Sequence, residues 1–194
     1  MASAPRLLVG AIDFGTTFSS WAFSFKHDYE RDHTKATVKM WNSGTLTTEK
    51  TPTCLLLKPD GTFDAFGYDA ESKYRELADN NDHMHYYFFR HFKMSLFKQL
   101  GRGLNREMTL VDEMGKPFPA IDVFSMSIEY LVNDMMLIVE QRVTGQLRPE
   151  EIHWVITVPA SWSDPAKQFM KEAASKVYHF PLIYFNQQKN KQDC

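Results

Sequence analysis

The sequence predicts an α/β protein, an open mixed sheet flanked by helices with a smaller subdomain inserted. Three stretches predict it. Residues 7–25 run from an apolar segment through Asp13, Phe14, Gly15, Thr16 and Thr17 into a second segment in which Trp21, Phe23 and Phe25 alternate with smaller or polar residues. That is strand, tight turn, strand, because an alternating period of two is the mark of a half-buried strand. Residues 152–158 form a near-continuous β-branched run, the pattern of a strand covered on both faces by helices. Residues 121–144 carry the best helical stripe in the chain, with Phe124, Ile128, Leu131, Met135 and Ile138 on one face.

The remaining elements follow in order. Residues 27–35 are charged and turn-rich and predict a polar loop. Alternation resumes over 37–41 as a third antiparallel strand, and Asn42-Ser43-Gly44 predicts a turn. Residues 54–57 read as a short buried strand, Lys58-Pro59-Asp60-Gly61 as a turn, and 62–66 as the returning strand. Residues 67–78 have the composition of a polar-faced helix. The segment 84–100 is dense in aromatics, and Phe89, Phe92, Leu96 and Leu100 fall at helical spacing, which predicts core. Its histidines, His83, His85 and His91, have no nearby cysteine or acid to complete a four-ligand set and read as solvated or capping groups. Residues 108–111 suggest one more strand and 116–119 a break. The long helix suits Asp122 near its start, Arg142 near its end and Gly145 as its stop. Asp164 reads as the cap of a last helix whose first position is Pro165. Tyr178 to Phe185 could be a strand, and the polar residues beyond it a fraying tail.

The turn after the first strand carries the chemistry. Gly15 has no Cβ, so its backbone can take φ > 0 and its N–H can approach an anionic oxygen. Thr16 and Thr17 add hydroxyl donors, and Asp13 is a hard oxygen ligand of the kind Mg²⁺ prefers. Asp-x-Gly-Thr is also ordinary hairpin chemistry, so both readings stand on these residues alone. The turn opens a strand and not a helix, which separates it from the Gly-Lys-Ser/Thr phosphate loop.

Composition narrows the classes. With 194 residues, 43% hydrophobic and 24% charged, the chain has the makings of one globular domain. A formal net charge of -2 argues against a nucleic-acid partner held by a general basic field. Two cysteines, Cys54 and Cys194, are too few for a disulfide scaffold and suit a reducing compartment. The apolar run 7–12 is too short to span a bilayer, and the expectation is a soluble, cytoplasmic protein with no membrane partner.

Taken together, these segments resemble the superfamily of actin, sugar kinases and the 70-kDa heat-shock chaperones. Residues 9–19 (Val-Gly-Ala-Ile-Asp-Phe-Gly-Thr-Thr-Phe-Ser) look like the first phosphate loop of the chaperones. Thr51-Pro52-Thr53 before Leu55–Leu57, then Phe66-Gly67 before a helix, looks like their next block. Residues 156–160, with Trp162, Asp164 and Lys167 after them, look like the strand-and-proline block deeper in the same lobe. The wording around 162–167 and 92–94 is most similar to the divergent heat shock 70 kDa protein 12 subfamily.

The resemblance implies an actin-like ATPase (ribonuclease H-like) lobe I over residues 1–177, a subdomain inserted at about 42–118, and a divergent tail over 178–194. It implies ATP and Mg²⁺ as ligands, with Gly15, Thr16, Thr17 and Phe18 at the phosphates and Asp13 near the metal. Lys93 is the candidate for the lysine that reaches the γ-phosphate, with a solvated helix lysine as its other reading. Pro159 matches the proline that relays nucleotide state at the sheet–helix junction, or simply ends a strand. The family's second phosphate loop, its adenosine loop and its substrate-binding domain have no counterpart pattern here, so a single lobe is expected, binding nucleotide but hydrolysing it poorly. Co-chaperone or client proteins are the implied partners. A sugar-kinase-type phosphotransferase lobe and a non-catalytic interaction fragment are the alternatives.

Overall fold

The computed structural model describes residues 6–95, 107–159, 162–177 and 183–187. Its largest sheet is built on strand β1 (Leu8–Phe14). The antiparallel hairpin partner is β2 (Phe18–Phe25), in the register Asp13↔Ser20 and Phe14↔Ser19. On the other side β1 pairs in parallel with β12 (Ile152–Pro159), and β12 in parallel with β13 (Ile183–Gln187). Beyond β2 lie two short antiparallel partners, β3 (Thr37–Val38) and β6 (Thr51–Pro52). Parallel and antiparallel pairs in one sheet give the mixed α/β architecture that the sequence predicts.

One face of β1 and β2 presents Leu8, Ile12, Phe14, Trp21 and Phe23, all buried. Against it lies α3 (Ala120–Glu140), whose Val123, Phe124, Leu131 and Met135 are fully enclosed. The α4 helix (Asp164–Val177) packs on α3 through Ala166, Phe169, Met170 and Ala173. Phe124 is the pivot, with ring centroids 5.9 Å from Phe14, 5.1 Å from Phe92 and 5.3 Å from Phe169, each edge to face. Truncating such a residue to alanine costs about 3–5 kcal/mol.

A smaller antiparallel sheet follows β6, in the order β8 (Phe63–Phe66), β7 (Cys54–Leu57) and β9 (Tyr87–Arg90), with α2 (Tyr68–Asp79) between β8 and β9 in the chain. Every residue of β7 is buried. Two ribbons complete the fold: β4 (Trp41–Asn42) with β5 (Thr47–Thr48), and β10 (Thr109–Val111) with β11 (Pro117–Pro119). Among the described residues no helix is long and apolar enough to cross a membrane.

Several local expectations are corrected. Residues 87–90 are a strand, not a turn of helix. Phe88 stacks on Tyr74 of α2 at 4.2 Å while Phe89 meets Phe118 at 6.1 Å on the opposite side. With both faces buried, the period of two is hidden in an all-apolar run. Leu96 and Leu100 lie outside the described residues. The 116–119 break is a strand, since Pro117 and Pro119 lie in a two-stranded ribbon where a missing N–H is tolerated.

The polar loop at 27–35 contains a short helix, α1 (Lys26–Arg31). The stretch 37–41 is split between two sheets, β3 and β4. The long helix ends at Glu140, four residues short of the expected end at 144, so Gly145 is not its stop, and Arg142 lies beyond it, donating to Thr37 Oγ1 at 2.7 Å. Ser163, not Asp164, caps α4. The Ala166 N–H points at Ser163 Oγ (3.4 Å), and the Lys167 N–H donates to the Ser163 carbonyl at 3.1 Å.

Candidate functional site

The β1–β2 turn is held from every side by distant residues. Asp13 is the last residue but one of β1, with its carboxylate on the face opposite Phe14, where neighbouring β12 presents Thr157. The Thr157 hydroxyl donates to Asp13 Oδ1 at 2.7 Å, and the Lys50 ammonium donates to Oδ2 at 2.7 Å. Burial would raise the Asp13 carboxyl, but the hydrogen bonds from Lys50 and Thr157, with the charges of Lys50 and Lys93, outweigh it and hold the group below its usual 3.8.

Gly15 is required for a reason the sequence did not show. It is not among the glycines with positive φ, so the expected left-handed turn is not what fixes it. A Cβ at this position would sit 2.1 Å from the Phe18 carbonyl oxygen, well inside contact distance. Its own carbonyl accepts from Thr53 Oγ1 at 2.9 Å. With that proton committed, Ser19 Oγ donates to Thr53 Oγ1 across 2.7 Å, so a buried hydroxyl chain fastens the turn to the segment before β7. The Thr53 N–H donates to the Thr17 carbonyl at 2.9 Å, completing the attachment. Thr16 is left half-buried, and Thr17 and Phe18 are exposed at the tip.

Lys93 lies beneath the turn and is only 2% exposed, which rules out a solvated helix lysine. Its ammonium donates to the Phe14 carbonyl and lies 5.0 Å from the Phe14 ring and 4.8 Å from the Trp162 ring. Burial pushes it down to about 8, although the charge of Asp13 pulls the other way. Pro159 ends β12, and its carbonyl accepts the Trp162 N–H at 3.1 Å. Pro159, Trp162, Lys93 and Phe14 are therefore in successive contact.

The structure thus brings Asp13, Gly15, Thr16, Thr17 and Lys93 together, with Pro159 joined through Trp162. Sequence reasoning missed Lys50, Ser19 and Thr157 as members of the site. Thr157 was visible as a hydroxyl inside an apolar strand. Lys50, between Glu49 and Thr51, carries no local signal at all.

No protein-family model matches the sequence. The human protein "Heat shock 70 kDa protein 12B" is 38% identical over 169 residues, 86% of this chain. Human "Heat shock 70 kDa protein 12A" is 34% identical and its mouse counterpart 35%, each over 87% of the chain. The chain is related to the heat shock 70 kDa protein 12 proteins. It spans about a quarter (24%) of the length of these relatives. Among solved structures, MreB5 of Spiroplasma citri bound to ADP is similar with a TM-score of 0.47 and 9% identity, over 95% of this chain and 39% of that one.

Proposed function

We propose that this chain is an actin-like nucleotide-binding lobe that takes Mg·ATP at the β1–β2 turn. One observation carries the reading. A four-residue hairpin turn would need no anchoring to be a turn, yet this one is tied to residues 37 to 144 positions away while its Thr16–Thr17 tip stays open. That is preorganisation of donors around a place for an anion. The relation to the heat shock 70 kDa protein 12 proteins supports the same reading.

In it, the Gly15–Thr17 amides and hydroxyls receive phosphate oxygens, and Asp13 faces the metal. The donor set suits Mg²⁺, because a cation, the Lys50 ammonium, already sits against Asp13 Oδ2. Bound Mg²⁺ would neutralise phosphate charge. Lys93 braces the turn from below as the structure stands, and through Trp162 it links Pro159 to the turn. Phosphoryl transfer needs groups converging from several sides. This chain supplies one side, so its affinity on its own is weak and its hydrolysis negligible. The same reading gives the chain a cytoplasmic chaperone setting, with client or co-chaperone proteins as its partners.

Isothermal titration with Mg·ATP tests the reading. Weak binding that disappears in Asp13→Ala and falls in Thr16→Ala is the expected result. Equal heats in wild type and Asp13→Ala would overturn it, and a Kd below about 1 µM would contradict a one-sided site.

A further inference from the structure

The Asp13 carboxylate divides its two oxygens between unlike partners. Oδ1 takes a neutral hydroxyl from the sheet, and Oδ2 takes the Lys50 ammonium. The Thr157 contact comes from a strand locked in register with β1 (Ile12↔Ile156) and is therefore fixed. The Lys50 contact is of another kind. Its backbone is held beside the hairpin, because Thr48 Oγ1 donates to the Lys50 carbonyl at 2.6 Å and Thr51 pairs with Ser19. Its side chain is 51% exposed and reaches Asp13 on a flexible four-carbon stem. A fixed base with a solvated, swinging head is the build of a reversible latch.

We propose that Lys50 is a built-in placeholder cation, occupying the oxygen of Asp13 that a divalent metal needs, so that Mg·nucleotide enters only as Lys50 withdraws. The inference rests on the nucleotide reading above and adds a regulatory element to the same site. A unit charge on Oδ2 keeps the carboxylate ionised and aimed while no nucleotide is present. Two cations cannot share that oxygen without repulsion, so the latch must release as the metal arrives. Because the pair is half exposed, its hold is shallow, and removing it should change affinity by a small factor.

Lys50→Met and Lys50→Arg, titrated with ATP in Mg²⁺ and with ATP in EDTA, test the proposal, with Asp13→Ala beside them. Lys50→Met is expected to bind Mg·ATP about two- to fivefold more tightly than wild type, the range that an exposed ion pair supports. It should gain nothing in EDTA, and Lys50→Arg, which keeps the pair, should follow wild type. If Lys50→Met weakens binding equally in Mg²⁺ and EDTA, Lys50 is a phosphate partner and the placeholder is wrong. If neither titration changes, the pair is incidental and the proposal also fails. In both cases a wild type that still loses binding on Asp13→Ala leaves the nucleotide reading standing. Identical behaviour of wild type and Asp13→Ala removes that reading and the latch with it.

Discussion

Two turns of this molecule have the same vocabulary and opposite wiring. The β7–β8 turn, Lys58-Pro59-Asp60-Gly61, satisfies itself. The Gly61 N–H donates to the Lys58 carbonyl at 2.9 Å, and Asp60 Oδ1 accepts from the Thr62 N–H at 2.9 Å and its hydroxyl at 2.6 Å. Gly61 is there for its backbone, at φ +80. In the β1–β2 turn the partners of Asp13, Phe14 and Gly15 come from β12, from the helical turn at 93–95 and from the segment before β7. A local turn is complete once its own residues are chosen. The other is complete only when the whole domain has folded around it, and such a turn can hold donors still for a ligand.

Substitution should widen that contrast. Gly15→Ala forces a methyl against the Phe18 carbonyl and is expected to cost about 4 kcal/mol or more, leaving little folded protein in a urea titration. Gly61→Ala, strained by its left-handed backbone and by a Cβ that would lie 3.0 Å from the edge of the Phe118 side chain, which has room to shift, should cost about 1–2 kcal/mol in the same titration. Near-equal losses would dissolve the distinction.

Lys93 sharpens it through pH. Its folded value lies near 8 and its unfolded value near 10.5, so between those limits the unfolded chain holds more protons and stability must rise with pH. Below about 8 both states are protonated and the full burial penalty is present. Wild type should gain on the order of 3 kcal/mol from pH 8 to 10.5 relative to Lys93→Met, as read by denaturant midpoints. A variant that keeps the same slope would show that Lys93 is not the group responsible.

Hydroxyl and carboxylate deletions probe the same contrast through single hydrogen bonds. Thr53→Val strands the Gly15 carbonyl and is expected to cost about 1–3 kcal/mol and to weaken nucleotide binding. Asp60→Ala, whose partners are local and solvated, should cost about 0.5–1 kcal/mol and leave nucleotide binding unchanged.

Wherever neighbours in the chain suffice, the sequence determined the outcome. The strand–turn–strand of 7–25 and the long apolar stripe of α3 are where their periods place them, because burial on one face selects a period that can be read directly, whereas the runs at 54–57 and before Pro159 show as short apolar stretches bounded by turn residues. Asp13, Gly15 and the two threonines stand out because acid, glycine and hydroxyls share one turn, although ordinary hairpin chemistry uses the same residues. Tertiary structure decided the rest. It made Gly15 obligatory through a carbonyl three residues away rather than through its own φ, and turned an aromatic run with two buried faces into a strand. It also buried Lys93 under the turn and placed an unremarked surface lysine, Lys50, on Asp13. Those are contacts between segments, and the free energy of such a contact depends on where the fold sets both partners, which no window along the chain contains.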